Sequence, residues 1–194
     1  SKFQYAAFNN ANLENTDLTD SFLVQVDFTK IKNKSLAGAN LFGTSLAHSN
    51  LSGVNLDGTS MEGTNFWNAD LSGVDFTAID VITDGLSFNE SNLSNSNFEG
   101  IDLSPKQTYT NIFENKASLN DSMSLQQDLF YGLQIIIISK EVQGNDLVVT
   151  YIYFNNFAKA DLENANFKNS NLQHAGFYSA NLTNADLSGA DLRK

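Results

Sequence analysis

The sequence predicts an all-β array that turns a corner every five residues, interrupted by an insert that holds a helix and a β-hairpin. Three observations carry this reading. Large apolar residues recur at intervals of five without a slip: Leu36, Leu41, Leu46, Leu51, Leu56, Met61, Phe66, Leu71 and Phe76. Two residues before each stands a small or branched one (Ala39, Thr44, Ser49, Val54, Thr59, Thr64, Ala69, Val74, with Lys34 the exception), and Asn or Asp often comes directly before the large residue. The signal then vanishes between Ser122 and Tyr153 and returns afterwards. A strand repeats every two residues and a helix every 3.6, so a period of five demands a corner at every repeat.

Taken in order, the first block runs Phe3, Phe8, Leu13, Leu18, Leu23, Phe28. The next large residue, Leu36, comes eight positions later, so three residues are extra and Thr29–Ser35 bulges from the path with Lys30, Lys32 and Lys34. The second block fades through Val81, and Asp80, Asp84 and Gly85 mark a turn within residues 78–86. A third block, Phe88, Leu93, Phe98, Leu103, ends at Ser104-Pro105, the only proline, which opens a loop at 104–109. Degenerate words, Thr110–Glu114 and Ala117–Asp121, extend the array to residue 121. In the insert, 122–153, Met123, Leu125, Leu129, Phe130 and Leu133 suit a short helix. Leu133–Ser139 and Leu147–Phe154 read as strands joined by the hairpin loop Lys140–Asp146. The array resumes over 154–194 with Phe157, Leu162, Phe167, Leu172, Phe177, Leu182, Leu187 and Leu192.

These words resemble the pentapeptide-repeat family, whose motif is A(D/N)LXX, and the resemblance covers 27 successive repeats in four blocks. It implies a right-handed quadrilateral parallel β-helix, in which four pentapeptides make one square coil of about 20 residues and coils lie about 4.8 Å apart. That register passes a test within the sequence. Residues 20 apart should stack, and Asp70 over Asn50, Asp75 over Asn55, Asp80 over Ser60, Asp161 with Asn181, Asn166 with Asp186 and Asn171 with Asp191 never set Asp on Asp. Asn neighbours can donate to those carboxylates. The last eight repeats make only two coils, so they are expected to continue the same stack, with the insert projecting sideways.

The chemistry points away from an enzyme. The chain has no cysteine, which removes disulfides and thiolate metal sites. His48 and His174 each stand alone in an outward position, the glycines follow the repeat period, and no phosphate loop or calcium nonapeptide is present. No cofactor is expected. The longest apolar run, around Ile135–Ile138, is too short to span a bilayer. A formal charge of −11, from 22 acidic and 11 basic residues, disfavours direct nucleic-acid or anionic-membrane binding and permits a basic partner. Between Ser35 and Pro105 there is no Lys or Arg but nine acids: Asp57, Glu62, Asp70, Asp75, Asp80, Asp84, Glu90, Glu99 and Asp102. The gyrase-protecting quinolone-resistance branch of the family, which mimics a DNA rod, is similar in this respect. It differs in that the acids here spread over several faces, the insert is longer, and no capping helix closes the C-terminus.

The sequence therefore predicts a non-enzymatic scaffold or binding module for another protein. Its expected contacts are Lys30, Lys32 and Lys34 on the short loop and Tyr131, Gln143, Asp146, Tyr151 and Tyr153 on the insert, with the tyrosines read as exposed. The alternatives are an acidic DNA mimic that binds a type II topoisomerase, DNA gyrase, and a segment of a larger exported or surface protein. The chain starts at Ser1 inside a repeat, which favours a processed product or excised segment and an exported location over a cytoplasmic one. Six N-x-S/T sequons arise largely from the repeat word; Asn33 and Asn120 lie outside clean repeats and are the better acceptors. Leu187 and Leu192 lie in a last coil with only Arg193 and Lys194 beyond, which leaves strand edges unpaired. End-to-end homodimerisation is expected, visible as a concentration-dependent dimer in sedimentation velocity.

Overall fold

A single local motif builds the coils. After each large inward residue the chain makes a four-residue turn: Ala39 N–H donates to Leu36 O at 2.9 Å, Thr44 to Leu41 O at 2.9 Å and Val54 to Leu51 O at 2.9 Å. The third residue of each turn sits at positive φ, as Gly38 (+69°) and Gly43 (+62°) do. That is the type II geometry, which glycine adopts freely and Asn tolerates. Asn68, Asn164 and Asn169 take the same place at +52° to +58°. The Asn or Asp before the large residue is explained in the same way. Its Oδ1 accepts the N–H two residues on, as Asn40 does from Phe42 (3.0 Å) and Asp17 from Thr19 (3.0 Å). This Asx turn straightens the chain into the next side.

The computed structural model describes residues 1–79, 84–114, 116 and 135–193. The expected helix in 122–133, the words in Ala117–Asp121, Tyr131, Asn120, Val81 and the Asp80/Ser60 stack lie outside the described residues. Coils stack in parallel through backbone pairs. One column runs Lys2, Phe22, Ser45, Asn65, Ser87, Asn156, Gly176, which makes seven levels among the described residues. The regular step joins positions 20 apart, as in Ser35/Asn55 and Asp161/Asn181. The expected pairs Asn50/Asp70, Asp161/Asn181, Asn166/Asp186 and Asn171/Asp191 all form, and Asn181 Nδ2 donates to Asp161 Oδ1 at 2.9 Å. The interior is apolar, with Phe66, Phe88, Phe157 and Phe177 stacked at ring separations of 5.2, 4.9 and 4.9 Å. Inward hydroxyls bond to backbone carbonyls of the adjacent coil, as when Thr44 Oγ1 donates to Leu18 O at 2.6 Å, or of their own turn, as when Thr59 Oγ1 donates to Leu56 O at 2.8 Å; buried Ser96 Oγ is an exception among the described residues.

Each irregularity lengthens one step of this ladder. Across the lysine bulge Asp27 pairs with Asn50, a step three residues longer than the regular one. The extra chain forms two single 3-10 turns, Phe28–Lys30 and Lys32–Lys34, and buried Ile31 fills the inward place between them. Across 80–83 Asp70 pairs with Asn92, a step two residues longer. Across the third irregularity Asn92 pairs with Asp161, so a stretch as long as 106–154 leaves the coil and returns.

That excursion starts at Ser104, after Leu103 has made its ladder bond to Asn171 O at 2.8 Å. It contains a three-stranded antiparallel sheet in the order β1-β3-β2, with β1 Tyr109–Phe113, β2 Ile135–Gln143 and β3 Asp146–Tyr153. The word Thr110–Glu114, expected to be a coil side, is instead largely strand β1. Its residues pair with β3 (Ile112 with Val148, Phe113 with Leu147); the next place in register after Leu103 is Thr108, which supplies no large inward side chain to hold the chain on the rod. The hairpin is tighter than expected: β2 runs to Gln143 and only Gly144 and Asn145 turn, with Gly144 at φ +64°. Asn155 closes the mouth from inside the core. Its Oδ1 accepts Leu86 N–H (2.9 Å) and its Nδ2 donates to Leu103 O (2.8 Å).

Two outcomes follow from this closure. Asn155→Ala strands two buried backbone groups and is expected to lower stability by about 2–4 kcal/mol in urea denaturation followed by circular dichroism. Removing residues 106–154 together with Pro105→Gly restores the five-residue spacing from Leu103 to Phe157. The chain then runs Asp102-Leu103-Ser104, the new glycine, and Asn155-Asn156-Phe157, which puts glycine where the turn needs positive φ. This variant is expected to unfold cooperatively with its β signal intact.

Candidate functional site

Among the described residues, the excursion and one side of the rod enclose a groove of about 630 Å³. Its rod wall is set by coil stacking. Gly43 N–H donates to Glu62 O and Gly63 N–H to Asp84 O, both at 2.9 Å, so Phe42, Glu62 and Asp84 occupy one position in three successive coils. Asn68 N–H donates to Asn89 O at 2.9 Å, which sets Trp67 and Asn89 beside each other on the next side. The other wall is Tyr109 and Tyr153, and Tyr153 lies directly over Gly85, where an added Cβ would come within 3.5 Å of its side chain.

Phe42 and Trp67 are 43% and 41% exposed although both are large apolar residues. Trp67 is held edge-on to His48 (ring centroids 4.7 Å) and its Nε1 donates to Glu90 Oε2 at 3.3 Å. Glu90 is in turn paired with Lys159 at 3.0 Å, which with the Trp67 donor holds its carboxyl below the usual range. Glu62 Oε1 accepts the Tyr109 hydroxyl at 3.3 Å. Asp84 is 1% exposed and spends both oxygens on backbone: Oδ1 and Oδ2 accept Lys106 N–H (2.9 and 3.1 Å), and Oδ2 accepts Gln107 N–H (3.2 Å). Burial raises its carboxyl against the pull of those donors. Asp84 is thus the clamp at the root of the excursion, and Glu62 is the carboxylate that faces the groove. Burial, followed by the charges of Glu62 and Asp84, pushes the Tyr109 phenol up to about 12.

The residues singled out from sequence fall in separate places. Lys30, Lys32 and Lys34 are exposed on the side between the Asp27/Asn50 and Ser35/Asn55 columns. The excursion leaves from the side between Asp102/Asn171 and Ser87/Asn156, which is the opposite side of a four-sided coil. Lys30 reaches Asp27 only at 4.0 Å, both largely exposed, a contact of little energetic weight. Gln143 and Asp146 pair at the hairpin tip. The tip lies on the order of 23 Å along β3 from Tyr153. Tyr151, read as exposed, is 4% exposed: its ring packs on Tyr109 and Tyr153 and its hydroxyl accepts from Asn111 Nδ2 at 3.0 Å. Tyr153 alone of these lines the groove. Sequence reasoning missed Phe42, Glu62, Trp67 and Tyr109. A signal existed: from Leu36 to Phe76, Phe42 and Trp67 are the only aromatics directly after the large residue, a place otherwise small, polar or acidic. Among the described residues no group of three His, Asp or Glu could hold a metal ion, and no helix is long and apolar enough to cross a membrane.

Stacked four-sided coils, each corner set by a type II turn, define a β-helical solenoid. The chain belongs to the pentapeptide repeat family, whose model matches residues 1–32, 39–77 and 156–194 with eight copies. It is similar to the crystal structure of the pentapeptide repeat protein Rfr23 from the cyanobacterium Cyanothece 51142, at 18% identity and a TM-score of 0.52, over 84% of this chain and 89% of that one. A trypsin-treated form of QnrB1, a plasmid-mediated fluoroquinolone resistance protein, matches at 14% identity and a TM-score of 0.39, over 98% and 89%. HetL from Nostoc sp. strain PCC 7120, involved in heterocyst differentiation regulation, matches at 17% and 0.31, over 98% and 63%. No curated protein matches the sequence.

The Tyr109 environment gives a titration to measure. Its folded value lies above the ordinary value near 10, so the stability it supports is present below about pH 10 and lost as pH rises towards 12. Ultraviolet titration is expected to show one tyrosine ionising last; Tyr109→Phe removes that step and Glu62→Gln moves it to lower pH.

Proposed function

We propose that the chain is a non-enzymatic, right-handed quadrilateral β-helix that serves as a scaffold for another protein, with the excursion and the groove at its root as the contact. The observation that carries this is one-sidedness. The excursion, much the longest of the rod's three irregularities, leaves from one side, and the exposed Phe42 and Trp67 lie beside it. Exposed aromatics next to a shaped recess are what protein contacts use. The domain division of array, insert and continuing array belongs to this reading, with the lysine loop and the Gln143–Asp146 tip as secondary contacts. End-to-end pairing of two copies belongs to this reading. An exported location belongs to it too; the sequon residue Asn33 stands exposed on the lysine loop.

The second reading, a DNA mimic for a topoisomerase, rests on the acidic middle of the rod. Its described acids lie on all four sides, and Glu90 and Asp102 are already paired with Lys159 and Lys106. A continuous acidic stripe has no support there. Affinity capture from the native host with the intact chain and with the 106–154 excision separates the readings. A protein retained by the intact chain and lost from the excised one is expected. A partner kept by both, together with inhibition of gyrase supercoiling by both, would replace this reading with the mimic.

A further inference from the structure

The groove has a chemistry of its own that the scaffold reading does not specify. Among the described residues that line it none is basic, in a chain with half as many bases as acids. Glu62 enters it half-buried; its Oε1 is taken by Tyr109, and Oε2 has no partner among the described residues. Asp84 adds a second negative charge from behind the wall, where its oxygens are already engaged. Lys106, the nearest base in sequence, is drawn off by Asp102 at 2.6 Å. Around the carboxylate stand the rings of Phe42, Trp67, Tyr109 and Tyr153. An anion would meet two carboxylates there, and a neutral apolar chain would bury Glu62 without a counter-charge. A cation gains from both features, because ring faces carry negative quadrupole potential and the half-buried carboxylate completes a salt bridge away from bulk water.

We propose that this groove is a docking site for an arginine- or lysine-bearing segment of a partner protein, whose cationic side chain seats against Glu62 among the Trp67, Phe42 and Tyr109 rings. The proposal rests on the scaffold reading and names the chemistry of its partner. Guanidinium fits better than ammonium, since it can stack on a ring and bond a carboxylate together. The occupant is a segment of chain because the groove, about 630 Å³ in volume and lined by Phe42, Glu62 and Asp84 from three coils, holds far more than one side-chain head.

The chain contains a single tryptophan, Trp67, so its own fluorescence reports the site. The probes are an end-blocked hexapeptide, Gly-Ser-Arg-Arg-Ser-Gly, its citrulline counterpart, which keeps shape and loses charge, and tetramethylammonium chloride as a free cation, all at physiological ionic strength. The arginine peptide is expected to change Trp67 emission saturably and the citrulline peptide to leave it unchanged. Glu62→Gln is expected to weaken binding roughly tenfold. Asp57→Asn, which removes one charge elsewhere on the rod, is expected to leave it within about twofold. Equal binding of the citrulline peptide, equal weakening by Asp57→Asn, or no saturable change up to about 1 mM arginine peptide overturns the proposal. Saturation by tetramethylammonium at the same concentration as the peptide overturns the peptide occupant and leaves a small-cation site. Failure here with a partner still lost on excision removes only the cation chemistry; failure of both removes the scaffold reading as well.

Discussion

Everything in this protein hangs on one hydrogen-bond ladder, in which the amides of inward residues donate to the carbonyl of the residue before the inward side chain one coil on. Leu36 to Asn55, Leu51 to Asp70, Phe88 to Asn156 and Phe167 to Asp186 are four rungs, at 2.7–2.9 Å. The rung couples two requirements. A large apolar residue must point inward at the same step at which a backbone group points along the rod, and only a corner every five residues delivers both. The turn with positive φ makes the corner, and the Asx bond aims the chain out of it. Packing then follows as a consequence, with Phe rings stacked ring over ring from Phe66 to Phe177.

The same ladder explains how the rod carries foreign chain. A rung constrains only the two residues it joins, so the path between rungs can lengthen by two residues, by three, or by the whole length of the excursion, provided it returns in register. The short addition at the lysine loop is absorbed within a corner, with Ile31 supplying an inward side chain. The long one needs a lock, and buried Asn155 provides it by bonding both banks of the gap, Leu86 and Leu103. Asp84 does the same one turn further out, tying down Lys106 and Gln107. Two polar residues thus decide where the excursion stands relative to the rod. That position creates the groove, because it brings Tyr109 and Tyr153 over a wall of stacked outward positions.

Outward positions are where function can be written without cost to the fold. The residue after each inward side chain makes no rung through its side chain, so Phe42, Glu62 and Trp67 replace small residues there without disturbing the core. Their combination is what the proposed cation docking rests on: rings that favour a cation, a carboxylate that needs one, and no base among the described lining residues. Burial first, and then the charges of Glu62 and Asp84, hold the Tyr109 phenol neutral to high pH.

The sequence by itself determined the coil. Period five, the small residue two before each inward one, and Asn or Asp directly before it are local constraints, each met within a few residues, so the chain displays them in order. The strands of the hairpin were legible for the same reason, although their shared turn is tighter than the sequence suggested. What only the tertiary structure decided is what stands next to what across the coils. Strand β1 looked like a repeat word because Thr110-Asn111-Ile112 satisfies the local pattern; its pairing with β3, far along the chain, overrides it. Tyr151 looked like a surface aromatic until the sheet folded it against Tyr109 and Tyr153. The groove was invisible because Phe42, Glu62 and Asp84 become neighbours only when the chain comes round a full coil, and the turn that brings in Asp84 is lengthened by a slip in the array. A repeat encodes its own turn. It does not encode which of its outward side chains will face a neighbour one coil away.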